Sequence, residues 1–161
     1  MSVDQDALDI LCEVFDDRIE DVMSNRDNLS YTLYDDDGYP VGAAIFDEFK
    51  SGERVRYVYV YWIGVRYRGV GIGGQILRTL HRQYPEHWFS LSTLKSNTDA
   101  VRFYQHLGYQ ITGDLPGCPS FYHLQRKPEK EFTSSAVIRT KTRTSRNRRV
   151  AIRTARKKAS P

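Results

Sequence analysis

A run of glycines between a strand pattern and a helix pattern constrains this chain more than any other feature. Residues 66–74 read Arg-Tyr-Arg-Gly-Val-Gly-Ile-Gly-Gly. Ahead of them, residues 56–63 place Tyr57, Tyr59 and Tyr61 on one face and Val58, Val60 and Trp62 on the other. Such a pattern predicts a central strand covered on both faces. Behind them, Ile72, Ile76, Leu77 and Leu80 recur at helical spacing until Tyr84-Pro85. A buried strand that turns on glycines into a helix belongs to an α/β sheet. Glycine lets the backbone bend tightly and approach a ligand with no Cβ in the way. The first amides of the helix then point outward, where the helix dipole also favours negative charge. Arg68 and Arg66 add charge-assisted donors, so the segment has the parts of a pyrophosphate cradle.

Other phosphate loops fit less well. A nucleoside-triphosphate loop ends in Gly-Lys-Ser/Thr, whereas Gly74 is followed by Gln75. The dinucleotide pattern Gly-x-Gly-x-x-Gly is met by Gly69, Gly71 and Gly74, but that fold also needs a ribose-binding acid about twenty residues on. The next strand, residues 88–94, ends at Lys95 instead. On the loop alone a plainer reading stays open, in which the glycines permit a tight turn and the arginines are solvated.

The remaining pattern is consistent with one domain. Leu8, Leu11, Phe15, Ile19 and Val22 predict a single amphipathic helix over about residues 6–24. Residues 29–34 and 41–46 read as a hairpin closed by Asp35-Asp36-Asp37-Gly38, with a polar break at Ser51-Gly52. Residues 88–94 are a strand. Asn97 or Thr98 caps a helix with Ala100, Phe103 and Leu107 inside, stopped by Gly108. Residues 109–112 and 121–124 are two last strands joined by residues 114–117. The expectation is an α/β fold, one mixed β-sheet flanked by α-helices, over residues 1–128. Residues 129–161 form a basic flexible tail, of which 148–159 could turn helical when bound.

Charge is distributed steeply. Residues 1–53 carry −12, residues 54–128 carry +7 and residues 129–161 carry +9, for a net +4. Such asymmetry speaks of partners rather than fold. Cys12 and Cys118 are isolated, and His81, His87, His106 and His123 show no ligand spacing. No disulfide framework and no metal are therefore expected, which suits a reducing, cytoplasmic setting. No run of 18 apolar residues exists, so no membrane span is expected. The N-terminal residues Met1-Ser2-Val3-Asp4 carry acid where a secretory leader needs positive charge.

Two segments together carry a family resemblance. Val65-Arg66-Tyr67-Arg68-x-x-Gly71-x-Gly73, then Asn97 through Ala100, Phe103-Tyr104, Gly108 and Tyr109, resemble the two signatures of the GNAT superfamily of N-acetyltransferases. The resemblance covers about residues 29–126. It implies acetyl-CoA as cosubstrate, with the backbone of Ile63 and Val65 along the pantetheine arm. It also implies Arg66, Arg68, Gly69, Val70, Gly71, Ile72 and Gly73 around the pyrophosphate. Asn97 would touch the pantetheine or adenosine side. Tyr104 would lie near the thioester sulfur as the general acid that protonates the leaving thiolate, and the Val65 amide would meet the oxyanion. Without the resemblance, Tyr104 reads equally as an amphipathic ring packed in a core.

Two departures from the family pattern bear on function. Residues 56–65 hold no carboxylate to act as general base, which leaves Asp47, Glu48, Glu53, or a water oriented by Tyr59 or Tyr61. One helix instead of two before Leu29 implies an open acceptor side. Two function classes follow: an N-acetyltransferase acting on a small amine or a protein, or a non-catalytic scaffold of GNAT-like fold in a nucleoprotein assembly. The arginines within residues 139–158 suit non-specific contact with nucleic-acid phosphates or docking on the acidic N-terminal helix. Sheet edges and the aromatic face of the central strand would also suit a homo-oligomer.

Overall fold

The computed structural model describes residues 2–53, 55–130 and 146–149. The fold is α/β, with a mixed sheet and flanking helices. Among the described residues the strands are ordered β5-β6-β4-β3-β2-β1-β7. They are β1 (Leu29–Tyr34), β2 (Pro40–Ser51), β3 (Val55–Val65), β4 (Trp88–Leu94), β5 (Gln110–Leu115), β6 (Cys118–Arg126) and β7 (Arg146–Arg149). The helices are α1 (Gln5–Val14), α2 (Ile19–Met23), α3 (Ile72–Gln83) and α4 (Thr98–His106). Contacts gather in two compact units. One holds residues 2–47, 61–79 and 146–149, the other residues 48–53, 55–60 and 80–130.

In the first unit the front end differs from the sequence expectation: two helices stand where one was predicted. Asp4 caps α1 through the Asp6 amide at 3.1 Å. Phe15 then leaves the helix and the Arg18 amide turns back to the Phe15 carbonyl at 2.8 Å. The apolar period ran through this break because α1 and α2 share one cluster, Val3, Ala7, Leu8, Leu11 and Val22 with Ala43 and Ile45 of β2. Ile19, which a continuous helix would bury, is 45% exposed.

The β1–β2 hairpin is antiparallel, Leu29 opposite Phe46 through Tyr34 opposite Pro40. The Asp35 carboxylate closes its turn by accepting from the amides of Asp37 and Tyr39, both at 2.9 Å, with Gly38 at φ 86°. Residues 41–46 of β2 are buried on both faces: Ala43 and Ile45 meet the α1–α2 cluster, and Gly42 faces Ile72 and Ile76 of α3. That double cover was expected of β3. In β3 only Val58, Val60 and Gly64 are buried, while its three tyrosines and Trp62 stay half-buried. A tyrosine tolerates this because its ring can pack while its hydroxyl stays near water.

In the second unit β3 pairs in parallel with β4 (Tyr57 opposite Trp88, Tyr59 opposite Ser90), and β6 pairs antiparallel with both β4 and β5. Gly117 turns β5 into β6 at φ 77°. Asn97, not Thr98, caps α4. The buried residue of that helix is Tyr104, with Ala100, Phe103 and Leu107 only partly covered. The reason is local: Gly108, at φ 96°, folds Tyr109 back onto Tyr104.

The chain stays attached past residue 128, the Lys130 amide donating to the Pro85 carbonyl at 2.8 Å. Of the predicted tail, Arg146–Arg149 form β7, parallel to β1 with Tyr31 opposite Arg146. Residues 148 and 149, the first two of the segment expected to turn helical when bound, lie on this strand, and the remainder of that segment lies outside the described residues. So does most of the 139–158 segment assigned to nucleic-acid contact. No described helix is long and apolar enough to cross a membrane.

Candidate active site

The exit of β3 is fastened before the glycines begin. The Arg66 amide donates to the Val41 carbonyl at 2.8 Å. Its guanidinium holds both carboxylate oxygens of Glu13 on α1, each at 3.0 Å, and the Pro40 carbonyl at 2.9 Å. The Arg66 side chain is thus occupied in fixing the loop root to α1 and the start of β2. Beyond it, Gly69 and Gly71 stand at φ 78° and 80°. A Cβ at either would meet nothing within 4 Å, so dihedral angle and not space demands glycine there.

The first bond into α3 runs from the Gln75 amide to the Gly71 carbonyl at 3.0 Å. The amides of Gly69 through Gly74 find no acceptor among the described residues. Arg68 is exposed and has no ion pair or hydrogen bond there. Arg78, which the sequence reading passed over, folds its guanidinium back so that Nη1 would lie 3.0 Å from a Cβ on Gly74. Its spacing, one helical turn after Gly74, was the available signal. Unpaired amides at a helix start, a free arginine and a second cation one turn on form an anion-binding arrangement.

Ile63, Val65 and the segment from Arg66 to Gly73 thus come together in one unit, and Asn97 and Tyr104 in the other. The Asn97 side-chain oxygen accepts from the Ala100 amide at 3.2 Å, which leaves its NH₂ group to face outward. Tyr104 is 9% exposed, and its hydroxyl has no partner among the described residues. Burial pushes its pKa up to about 12. Its ring lies against Phe103 and Tyr109, at centroid separations of 5.3 and 5.8 Å. His106 is exposed.

A sequence profile described as the acetyltransferase (GNAT) family matches residues 3–109. The chain belongs to this family. A spermine/spermidine N(1)-acetyltransferase of Bacillus subtilis is 32% identical over 74 residues, 44% of this chain and 48% of that protein. The match therefore spans about half the length of that relative. Among solved structures, the NatB acetyltransferase complex bound to CoA and MES aligns at TM-score 0.60 and 15% identity, covering 80% of this chain and 97% of that one. A histone acetyltransferase HPA2 and related acetyltransferase from Corynebacterium glutamicum aligns at 0.58 and 17%, covering 80% and 94%. At these identities the two structures support the GNAT fold alone.

Of the residues considered as a GNAT general base, all but Glu53 have partners in the structure. Asp47 accepts from the Asn28 side chain at 2.9 Å. Glu48 is buried against His87, with Oε2 and Nε2 2.5 Å apart. Glu53 is exposed beside the Gly52 turn. The Tyr59 hydroxyl meets Ser92 Oγ at 3.2 Å, and Tyr61 packs against the α1–α2 cluster.

Proposed function

We propose that this chain transfers the acetyl group of acetyl-CoA to an amine. The observation that carries the reading is the glycine loop, where among the described residues the six consecutive amides from Gly69 to Gly74 lack acceptors and Arg68 lacks a counter-charge. A pyrophosphate supplies acceptors for those amides and charge for that arginine. Arg68 and Arg78 hold it electrostatically. Gly69, Val70, Gly71, Ile72 and Gly73 offer backbone, and Arg66 keeps the loop root in place. The backbone of Ile63 and Val65 lines the pantetheine arm, and Asn97 contributes its free NH₂.

In the reaction the neutral amine nitrogen attacks the thioester carbonyl carbon, the carbon–sulfur bond breaks as the new amide forms, and the proton shed by the nitrogen passes to solvent. Tyr104 gives its phenolic proton to the departing sulfur and regains one from solvent. With its pKa raised to about 12, the phenol is protonated at every ordinary pH. Burial also pushes up the pKa of a thiol formed beside it, which makes the departing sulfur a better proton acceptor. Two helices at the front, rather than one, remove one of the grounds on which a non-catalytic scaffold stands as the alternative.

The acceptor class is read from charge. Asp9, Asp16, Asp17 and Glu20 are exposed on or between α1 and α2, a surface that draws in a cationic amine, whether small or on a protein. Contact of residues 139–158 with nucleic acid is a separate proposal, checked by whether the full chain binds a random duplex with strong salt dependence.

Calorimetry of coenzyme A and acetyl-CoA on the full chain, beside an Arg68→Ala/Gly71→Ala variant, tests the reading. Micromolar binding lost in the variant supports the cradle. A folded protein that binds neither ligand rules out acetyl transfer.

A further inference from the structure

We infer that His81, acting through Tyr109, is a positioning residue that holds the Tyr104 ring for proton transfer. The inference rests on the reading of Tyr104 as proton donor, and its geometry lies wholly within the second unit. His81 sits in the last turn of α3, 2% exposed. Its Nε2 lies 2.8 Å from the Tyr109 hydroxyl in a buried hydrogen bond. The His81 ring also stands edge-on to Phe89 of β4, centroids 4.6 Å apart and planes at 88°. The imidazole is thus fixed by two elements and offers Tyr109 one defined anchor.

Tyr109 in turn holds Tyr104 in two ways. Its amide donates to the Tyr104 carbonyl at 3.0 Å, and its ring packs against the Tyr104 ring at 67°. Both contacts are the hallmark of a helix stop built on a glycine at φ 96°, Gly108. In that motif the residue after the glycine bonds the carbonyl five residues earlier and commonly touches its side chain. The usual side-chain contact is apolar and needs no further support. In this chain a tyrosine occupies the outer position, and its buried hydroxyl requires a partner. His81 is that partner, so the stop of α4 is locked to α3.

The consequence concerns Tyr104, which has no hydrogen bond of its own among the described residues. A proton donor with a free hydroxyl keeps its aim only through the packing of its ring. Tyr109 forms one wall of that packing and Phe103 another. Releasing Tyr109 from His81 frees that wall, and the Tyr104 hydroxyl then samples positions away from the reacting sulfur. Cosubstrate binding, which the residues of the glycine loop carry, is untouched by this change. The effect therefore falls on kcat and not on KM for acetyl-CoA.

The test uses Tyr104→Phe, Tyr109→Phe, His81→Leu, His81→Gln and the Tyr104→Phe/Tyr109→Phe double variant of the full chain. Turnover is measured with acetyl-CoA and spermidine, and ring-flip rates of Tyr104 by NMR of ¹³C-tyrosine protein. A 1 Å misplacement can cost about 10²-fold in rate. The expectation for Tyr109→Phe and His81→Leu is a loss of about tenfold in kcat with KM for acetyl-CoA within about twofold. His81→Gln, which can still bond the phenol, recovers most of the loss. The double variant is no slower than Tyr104→Phe alone, because positioning is worthless without the group positioned. Faster Tyr104 ring flips accompany the loss. If Tyr104→Phe slows turnover but Tyr109→Phe does not, or if their effects multiply, the positioning role is overturned. If Tyr104→Phe leaves kcat intact, the proton-donor reading fails instead. The flip rates need no turnover, and unchanged flipping in Tyr109→Phe overturns the inference under any acceptor.

Discussion

Replacing Gly42 with alanine should destabilise the protein and weaken its grip on coenzyme A together. A Cβ at this position would fall 2.8 Å from Ile72 Cγ2, 2.9 Å from Ile76 Cδ1 and 3.2 Å from the Gly64 carbonyl oxygen. Carbon atoms settle at about 3.5–4.0 Å, so each isoleucine must retreat by roughly 1 Å. Ile76 can do so by rotating its terminal methyl. Ile72 cannot, because a β-branched residue in a helix has one strongly preferred rotamer. The start of α3 must move with it, and the unpaired amides move too. Overpacking of this kind costs about 1–3 kcal/mol. For a chain of this size that is roughly 2–4 °C of melting temperature per kcal/mol. Thermal melts followed by circular dichroism give the first quantity, and calorimetric titration with coenzyme A the second. Gly52→Ala is the control: Gly52 stands at φ 70° with nothing within 4 Å, so it carries backbone strain without a clash. A Gly42→Ala protein that melts within about 1 °C of the parent, well short of that expected shift, and binds coenzyme A equally would refute the claim that β2–α3 contact sets the loop.

Other consequences can be checked directly. Asn97→Ala removes the cap of α4 and should cost about 1 kcal/mol in chemical denaturation, most of which Asn97→Asp should restore. Stability should fall as pH rises from about 10 toward 12, because the unfolded Tyr104 ionises near 10 whereas the folded one holds its proton to about 12. The loss attributable to this residue is about 2–3 kcal/mol, and denaturation midpoints of Tyr104→Phe against pH should lack it. Glu13→Ala breaks the bridge to Arg66, whose partners are 56% and 26% exposed. Less than about 1 kcal/mol should be lost, an effect that shrinks with added salt in paired melts.

Sequence spacing located most elements because each carries its own local signal. The β4 pattern at 88–94, the Asn97 cap and the Gly108 stop need only neighbours along the chain, and each stands where spacing put it. The break between α1 and α2 was hidden for the opposite reason. Both helices bury one cluster, so the apolar period continues through a turn that only Ile19 betrays. Gly42 and Gly64 are glycines because α3 and α1 press on them, and no local pattern announces a contact made by residues thirty or fifty positions away. In the candidate site, the glycine loop was legible from residue type. The occupation of Arg66 by Glu13, and of Glu48 by His87, was not, since pairing between distant side chains leaves no period behind.

The two helix starts, α3 and α4, make the physical case for a ligand more sharply than either does alone. The α4 helix begins as an ordinary helix should, with an Asn cap taking an otherwise orphaned amide. By contrast, α3 begins with Gly71 before it and Gly73 and Gly74 inside it, and nothing among the described residues accepts from its first amides. Absence of a cap forgoes about 1 kcal/mol, and each glycine in a helix up to about 1 more against alanine. A helix so poorly begun survives because Ile72, Ile76, Leu77 and Leu80 are each at most 2% exposed, and each such burial contributes about 1.5–3 kcal/mol. Packing thus holds the start of α3 in place while its backbone is left incomplete. A side chain that capped it would occupy the volume an anion needs, and a Cβ at Gly71 would forbid its φ of 80°. A helix start that is firmly anchored and left open is what an anion-binding site requires, and a bound pyrophosphate would do for α3 what Asn97 does for α4.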